Sequence, residues 1–450
     1  MVDYCLLLMK KEVDRMTLLI GPMSKHLLGH KDLTDHNDIV EVSPDEHVLI
    51  PMVCYGSTNV ELLVKEGDRV KVGTKIAIRN DNMTMPVFSS VSGVVSCVQK
   101  NMHDMLRPVD HLFIENDFKY EKVRSFEPLD YQKASREELI DFMMNAGIVG
   151  CGGAGFPSYI KYKYAKDVKT VLINGVECEP YITTDYRMMM NNLDLLIIGC
   201  LAMKKMAGAQ EVIIAIKETK KDLIAKVNEA IKSYPDIKVF QVPDKYPMGW
   251  ERTVIYQVFK KRYDRLPGEI GVIVNNSTTA IFFARALTTG EANVEKLITV
   301  SGDGIKQPAN VKVRIGTPVS KIIKSLGGYT ADEVSVISGG PMMGRTVPND
   351  TFVITPCSNS ITVLIKKDYP DIACLRCGRC SDYCPAALQP VRINDMEKAK
   401  DVDSLIKSNA IDCIECGLCS YVCPSRLEVT EGVRRGKRMV IARKKQEEQK

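Results

Sequence analysis

Residues 374–385 read CLRCGRCSDYCP, and residues 413–424 read CIECGLCSYVCP. Both follow the pattern C-x2-C-x2-C-x3-C-P, in which three closely spaced thiolates surround one iron–sulfur cubane and the proline turns the chain away. In chains with two such runs, the fourth cysteine of each run ligates the other cluster. The pattern predicts two [4Fe–4S] centres, the first held by Cys374, Cys377, Cys380 and Cys423, the second by Cys413, Cys416, Cys419 and Cys384.

A pair of zinc sites, each with four thiolates, is the alternative for these eight cysteines. Zinc needs only two C-x2-C pairs per ion, so this alternative leaves the regular third and fourth cysteines unexplained. Paired clusters carry single electrons and do no acid–base chemistry. We therefore expect residues 366–430 to form an α-helical, two-cluster ferredoxin-like domain of an electron-transfer protein.

The composition is that of a soluble, multidomain α/β protein. The chain has 450 residues, 45% of them apolar and 26% charged, and its net charge of +5 is too small to indicate a nucleic-acid partner. Its 15 cysteines are concentrated in the two clusters, which predicts a reducing, cytoplasmic location. All six histidines precede residue 112, so the later residues alone cannot form a Ser-His-Asp hydrolase.

Neither a membrane span nor a signal peptide is expected. No apolar run reaches the roughly 18 residues that a span requires, and the start of the chain lacks a basic region and a cleavage site. The basic tail, residues 431–450, holds eight Lys/Arg and three Glu, and we interpret it as a solvated, frayed helix. Its alternative is a docking face, which would place the protein peripherally on the cytoplasmic face of the cell membrane.

Changes of pattern divide the rest of the chain. After an N-terminal extension, residues 1–46, short strands with turn signals predict a β barrel-sandwich over 47–125. Residues 126–290 alternate strands with helices, including a long helix at 186–207 and a capping box at Ser135 and Glu138. This predicts a Rossmann-like α/β domain with a parallel sheet. Residues 291–365 predict a small, ubiquitin-like α+β module of the soluble-ligand-binding kind.

Residues 147–162, GIVGCGGAGFPSYIKY, form a glycine-rich segment in the α/β domain. Backbone N–H groups and a lysine suit a phosphate, although a plain turn explains the glycines equally well. NGVECEP (174–180), KYPMGWE (245–251) and VNNSTT (274–279) each follow a predicted strand. Because ligands bind at the carboxyl ends of parallel strands, these segments predict a ligand site beside the glycine loop.

Six segments in this order resemble the RnfC family over residues 47–425: GGAGFPSYIKY, NGVECEPYITTDYR, VNNSTTA, GDGIKQPANVKVRIGTP, GGPMMG and the twin cysteine motif. The first three also resemble the flavin subunit of respiratory complex I. The resemblance implies an SLBB-type module at 291–365 and FMN on the glycine loop with NADH above it. It implies that FMN contacts Gly150, Gly152, Gly153, Gly155, Lys161, Asn174, Glu177, Asn275, Asn276 and Thr278. It further implies that Phe156 stacks on NADH and that Glu179 binds its ribose or amide.

An NADH dehydrogenase-type oxidoreductase follows from this resemblance. It would pass electrons through FMN and both clusters to a redox partner. That partner is another member of an Rnf complex or ferredoxin, or a soluble enzyme such as proline reductase. The alternative is a non-catalytic, ferredoxin-like adaptor that binds only a redox protein. A carboxylate at Glu179 would repel a 2′-phosphate and favours NADH over NADPH.

Departures from the family pattern leave the choice of partner open. The usual Gly-Gly-x-His-Pro segment is absent, and Cys151, Ser158 and Trp250 replace the usual leucine, threonine and glycine. These differences bring forward the proline-reductase-associated paralogue. Cys151 is interpreted in two ways, as a small residue filling space beside the flavin or, with Cys178, as a thiol that relays electrons. Neighbouring glutamates are expected to raise the pKa of Cys178.

Overall fold

The computed structural model describes residues 27–153, 155–370 and 372–448. Most of the predicted extension, residues 1–26, lies outside the described residues. A 3-10 helix at Lys31–Leu33 precedes strand β1, Val40–Val42.

The barrel-sandwich predicted for 47–125 is confirmed. Two antiparallel sheets, ordered β2-β8-β7-β4 and β3-β5-β6, enclose one core that includes Ile50, Ile76 and Leu112. Alternating valines and isoleucines provide that core because successive side chains of a strand point to opposite faces. The strands are β2 His47–Pro51, β3 Glu61–Leu62, β4 Arg69–Val70, β5 Lys75–Arg79, β6 Met85–Phe88, β7 Gly93–His103 and β8 Arg107–Asn116.

A parallel sheet, as predicted, forms the centre of the α/β domain. Its order is β11-β10-β9-β12, and all three pairings are parallel. The strands are β9 Thr170–Gly175, β10 Glu211–Lys217, β11 Ile237–Val242 and β12 Val272–Asn276. The helices are α1 Arg136–Asn145, α2 Ser158–Lys163, α3 Thr184–Asn191, α4 Leu193–Ala207, α5 Lys221–Ala230, α6 Glu251–Phe259 and α7 Ser277–Thr289, with a 3-10 helix at Pro267–Ile270.

Two details of this domain test the sequence reasoning. The capping box is confirmed, since Ser135 and Glu138 exchange hydrogen bonds at the start of α1. The single helix predicted over 186–207 is wrong, because Asn192 separates α3 from α4. The Asn192 amide donates to the carbonyl of Met188 at 2.9 Å, and such a side-chain bond competes with the helical one.

A fourth sheet, which belongs to what we call the third module, has six strands in the order β1-β14-β13-β17-β15-β16. Its own module supplies β13 Glu295–Ser301, β14 Ala309–Arg314, β15 Val334–Ser338, β16 Arg345–Val347 and β17 Ser360–Ile365, with helix α8 Val319–Ser325. Strand β1 pairs parallel with β14, so the end of the predicted extension belongs to this sheet.

The C-terminal segment is helical, as predicted. It contains α9 Arg379–Asp382, α10 Pro390–Lys398, α11 Val402–Lys407, a 3-10 helix at Ala410–Asp412, α12 Leu418–Tyr421 and α13 Val429–Glu448. Helix α13 buries Val433 and Val440 against α10 and α11. The interpretation of 431–450 as a solvated, frayed helix is therefore wrong for its first half, up to Val440, whereas residues 442–447 are exposed. Among the described residues, no helix is long and apolar enough to cross a bilayer.

Candidate functional site

The glycine loop lies between α1 and α2 and is fixed at both ends. The N–H of Gly150 donates to the carbonyl of Phe156 at 3.0 Å, and that of Cys151 donates to Thr279 Oγ1 at 2.9 Å. Gly152 and Gly153 are exposed. Nothing lies within 4 Å of a Cβ built on Gly153, whereas one on Gly152 would meet Asn276 Nδ2 at 2.8 Å. The loop is thus an anchored backbone arch with an open crest, which suits a phosphate group.

Gly155 closes the loop, and no other residue fits there. Its φ of +70° is a conformation that favours glycine. A Cβ at this position would lie 2.2 Å from Cys357 Sγ, in the loop between β16 and β17. The glycine loop therefore packs directly on the third module, which contains the six-stranded sheet.

A half-buried carboxylate, Asp185, joins two of the predicted residues. Asn276 donates to Asp185 Oδ2 at 2.7 Å, and Thr278 Oγ1 donates to Oδ1 at 2.6 Å. Asn276 also caps α7, because its Oδ1 accepts from the N–H groups of Thr278 and Thr279. Burial raises the pKa of Asp185, and these hydrogen bonds oppose that rise. Sequence reasoning missed Asp185, although it lies within the segment NGVECEPYITTDYR.

Glu177 lies in the turn after β9 and binds the start of α3. Its Oε1 accepts from the N–H of Asp185 at 2.7 Å, and its backbone φ is +43°. Burial raises the pKa of Glu177 to about 7, while the nearby charge of Lys31 opposes the rise and that of Asp185 adds to it.

Lys31 ties the whole turn together. Its Nζ donates to the carbonyls of Glu177 and Glu179 at 2.9 Å and to that of Ile182 at 2.5 Å. It also lies 3.9 Å from Glu177 Oε2, and burial lowers its pKa to about 8. Nothing in the sequence indicated this role, because the lysine is 146 residues from Glu177 and lies in the predicted extension.

Three other predicted flavin contacts have partners within the protein. Asn174 donates to the carbonyl of Gly249 at 2.8 Å, and Lys161 Nζ donates to that of Val274 at 2.7 Å. Burial lowers the pKa of Lys161. Asn275 departs from its prediction, because its side chain is buried and donates to Tyr162 Oη at 2.6 Å. Successive side chains of a strand point to opposite faces of the sheet, so Asn275 faces the core while Asn276 faces Asp185.

A cavity of about 1740 Å³ adjoins the crest of the glycine loop. It is lined by Cys151, Gly152, Gly153 and Glu179, by residues of the barrel-sandwich and the third module, and by Gly417 and Ser420 of the second cysteine motif. Phe156 is half-buried and meets the ring of Tyr55 edge to face, with the centroids 5.3 Å apart. The cavity therefore brings the predicted flavin loop and one cysteine motif to the same space.

Glu179 is held in place by the segment GGPMMG. Its Oε1 accepts from the N–H groups of Met342 at 2.7 Å and Met343 at 2.9 Å. A Cβ on Gly340 would lie 2.1 Å from Glu179 Cγ, which explains the glycine there. Burial raises the pKa of Glu179, and the two N–H donors oppose that rise. The role of Glu179 in binding NADH stays a prediction.

Two of the cysteines outside the cluster motifs, Cys151 and Cys178, differ in their surroundings. Cys151 is buried, and its thiol donates to the carbonyl of Val149 at 3.6 Å. Burial, followed by the charge of Glu179, raises the pKa of Cys178 to about 11. The predicted direction for Cys178 is confirmed, with desolvation as the larger cause. The Cys151 thiol is shielded from solvent, and the raised pKa of Cys178 favours its neutral thiol over a reactive thiolate.

The eight motif cysteines fall into two groups as the spacing predicts. The first set lines one cavity of about 240 Å³: Cys374, Cys377, Cys380 and Cys423. In the second set, Cys384, Cys413 and Cys419 pack in one apolar cluster, and Cys416 is buried beside Tyr246. Among the described residues, no three metal-binding side chains converge tightly enough for one single ion. Their role as cluster ligands stays a prediction.

The local backbone of the two motifs is nearly identical and suits cluster binding. Gly378 and Gly417 both have a φ of +79° at the start of a one-turn helix. Backbone N–H groups also point at thiols, from Arg376 to Cys374 Sγ at 3.4 Å and from Glu415 to Cys413 Sγ at 3.3 Å. N–H donors to cysteine sulfur are among the means by which proteins tune these clusters.

Comparisons with known proteins agree with this arrangement. Four family models match the chain: the RnfC barrel sandwich hybrid domain at residues 24–119, the Nuo51 FMN-binding domain at 143–284, the SLBB domain at 297–346 and the 4Fe-4S dicluster domain at 373–427. These matches confirm the predicted fold classes, the FMN and the two [4Fe–4S] clusters. The fold and site define an electron-transfer protein that holds FMN and two iron–sulfur clusters.

Several curated relatives, all RnfC-type members of larger complexes, match along most of their length. The relative from Acetobacterium woodii, which belongs to a Na⁺-translocating ferredoxin:NAD⁺ oxidoreductase complex, is 33% identical, with 89% of this chain and 92% of the relative covered. The relative from Clostridium ljungdahlii, which belongs to a proton-translocating complex of this kind, is also 33% identical, with 79% of each covered. The relative from the ion-translocating oxidoreductase complex of Rhodobacter capsulatus is 33% identical, with 85% of this chain and 76% of the relative covered. The chain belongs to the RnfC family.

Proposed function

We propose that this protein oxidises NADH at its FMN and sends the electrons through both clusters to a redox partner. The observation that carries the proposal is the cavity of about 1740 Å³, because the glycine loop and the second cysteine motif both line it. When bound, FMN exchanges an electron pair with a nicotinamide and single electrons with iron–sulfur clusters.

The chain's own residues would hold the flavin by its phosphate and by one edge. The open backbone at Gly152 and Gly153, with the Lys161 ammonium near the end of β12, would bind the phosphate. The amides of Asn174 and Asn276 lie at the ends of two adjacent parallel strands, where ligands of such sheets bind. Residues Glu177 and Thr278 would support this edge through Asp185.

NADH would approach from the cavity. Phe156, braced by Tyr55, offers a ring on which the nicotinamide or adenine can stack. Glu179 would meet the ribose or amide through Oε2, because its Oε1 already accepts two N–H groups. A carboxylate there favours NADH over the 2′-phosphorylated NADPH.

The relatives suggest the setting in which this occurs. They are subunits of ion-translocating complexes that couple ferredoxin and NAD⁺. By analogy we propose that this protein works in the cytoplasm or on the cytoplasmic face of the membrane, with a redox protein as its acceptor. Another member of an Rnf complex and a soluble reductase such as proline reductase are the two candidates. Isolation with the native partner, followed by its identification, decides between them.

Cofactor analysis and reduction by pyridine nucleotides test the proposal. The anaerobically purified protein should contain FMN, iron and sulfide, and NADH should bleach its flavin absorbance faster than NADPH. The variant Phe156→Ala should raise the NADH concentration needed for half-maximal rate and leave the FMN content unchanged. A protein that retains FMN but is not bleached by NADH would instead be the non-catalytic adaptor.

A further inference from the structure

The two cysteine sets have different neighbours. Cys416, of the second set, is 7% exposed and packs beside Tyr246 and Cys178 of the α/β domain. Tyr246 Oη also donates to the carbonyl of Cys416 at 2.6 Å. Gly417 packs equally closely on the GGPMMG segment, since a Cβ there would lie 2.5 Å from the carbonyl of Met342. The second set is therefore enclosed on the side of the flavin domain.

The first set opens to solvent instead. Cys377 is exposed, and the cavity that the first set lines is bordered by Leu375, which is 63% exposed. Tyr369 and Ile372 are 50% and 45% exposed on the chain that leads into the motif. The residue that follows the second cysteine motif, Ser425, contacts the start of the first motif, because its Oγ donates to the carbonyl of Ala373 at 2.9 Å. Exposed apolar groups of this size beside a redox centre are typical of a protein-contact surface.

Basic side chains surround this opening. We call the arginine face the surface formed by exposed arginines and these three apolar residues: Arg376, Arg379, Arg392, Arg426, Tyr369, Ile372 and Leu375. The first three arginines border the cavity of the first cysteine set. The Arg426 guanidinium lies 3.5 Å from the centre of the Tyr369 ring, and such stacking holds the group in a fixed orientation.

The arginines of this face differ in their pairing. Arg376 is paired with Asp395 at 2.9 Å. Arg379 has no acidic partner among the described residues. Arginine forms planar, two-pronged contacts with carboxylates, so a face of this kind selects an acidic partner.

We propose that the arginine face is the docking site of an acidic redox protein that exchanges electrons with the cluster of the first cysteine set. The inference rests on the proposed function, and it adds which cluster faces the partner and the charge that the partner carries. Each encounter moves one electron, so the centre that gives it up is oxidised as the other centre is reduced, and no proton moves. Opposite charges steer such encounters, which makes their rate fall as salt is added.

An acidic two-cluster ferredoxin is the probe. It is reduced with dithionite, freed of excess reductant and mixed with the oxidised holoprotein, so that the reaction does not depend on NADH. The double variant Arg379→Glu/Arg392→Glu should slow the reduction about tenfold at low salt, and wild type should approach this lower rate at high salt. The control Lys226→Glu reverses an exposed charge on α5 and should stay within twofold of wild type.

Iron, sulfide and FMN contents, and bleaching by NADH, are measured on every variant. These values show whether a slow variant has lost a cofactor, and they report on the proposed function separately. Arg392→Glu alone, which lies outside the cysteine motifs, serves if the double variant loses iron. The proposal would be overturned if the rate of electron transfer from ferredoxin changed neither with salt nor with the charge reversals. It would also be overturned if the charge reversals abolished binding to phosphatidylserine vesicles and left electron transfer from ferredoxin unchanged, because the arginine face would then bind a membrane.

Discussion

Replacing Lys31 with methionine removes the ammonium that binds the turn after β9. Three backbone carbonyls and a buried carboxylate then lose their donor. A buried acceptor left unsatisfied costs about 1–3 kcal/mol. The Glu177 carboxylate can reduce its own penalty for losing the ammonium by taking up a proton, since its pKa is already about 7. Three carbonyls at the lower limit give about 3 kcal/mol, which corresponds to about 100-fold weaker FMN binding if the flavin requires this turn.

Titration of FMN into the flavin-free protein, followed by quenching of flavin fluorescence, measures this loss. Lys31→Arg keeps a charged donor and should recover most of the affinity, whereas the exposed Lys226→Met should behave as wild type. Iron content and thermal unfolding are recorded for each variant to separate a local effect from loss of the fold. If Lys31→Met binds FMN within twofold of wild type, the turn does not depend on Lys31 and the reasoning is refuted.

Three further predictions follow from the same contacts. The pKa of Glu177 is raised from 4.5 to about 7, so this residue binds more protons in the folded state than in the unfolded state. Its contribution to stability therefore decreases as the pH rises between these two values. Lys31→Met should extend this decrease above pH 7, which thermal unfolding measured at several pH values will show. Gly155→Ala should lower the free energy of unfolding by about 1–3 kcal/mol and release FMN. Its φ of +70° is unfavourable for alanine, and a Cβ there would lie 2.2 Å from Cys357 Sγ. The control Gly268→Ala should lower the free energy of unfolding by under about 1 kcal/mol in the same assay. Cys151→Ala should retain FMN and transfer electrons to the native acceptor at an unchanged rate, since the thiol is buried and its hydrogen bond goes to the carbonyl of Val149; a tenfold slower transfer would instead support the relay.

Local patterns were sufficient to predict most of the architecture. The alternation of strands and helices predicted for the α/β domain is present as a parallel sheet with helices, and the capping box begins α1 where the sequence indicated. Both signals depend only on neighbouring residues. The break at Asn192 was missed because a hydrophobic pattern continues across it, and only the backbone shows that its side chain binds Met188.

Long-range contacts explain what the sequence did not reveal about the site. Lys31 and strand β1 act on partners far along the chain, and no local pattern indicates such pairing. The motif residues were recognisable because they lie beside strand ends or in fixed cysteine spacings. The direction in which each side chain points could not be recognised in this way. Asn275 points into the core and binds Tyr162, whereas the next residue, Asn276, binds Asp185.

Electrons from NADH should reach the clusters by way of FMN. Electron paramagnetic resonance of the anaerobic holoprotein after addition of NADH measures this transfer, with a flavin-free sample as the control. Reduced-cluster signals are expected in the holoprotein and none in the flavin-free sample, although dithionite reduces the clusters of both. Clusters that stay oxidised with NADH in the holoprotein, or that NADH reduces equally without FMN, would contradict this expectation.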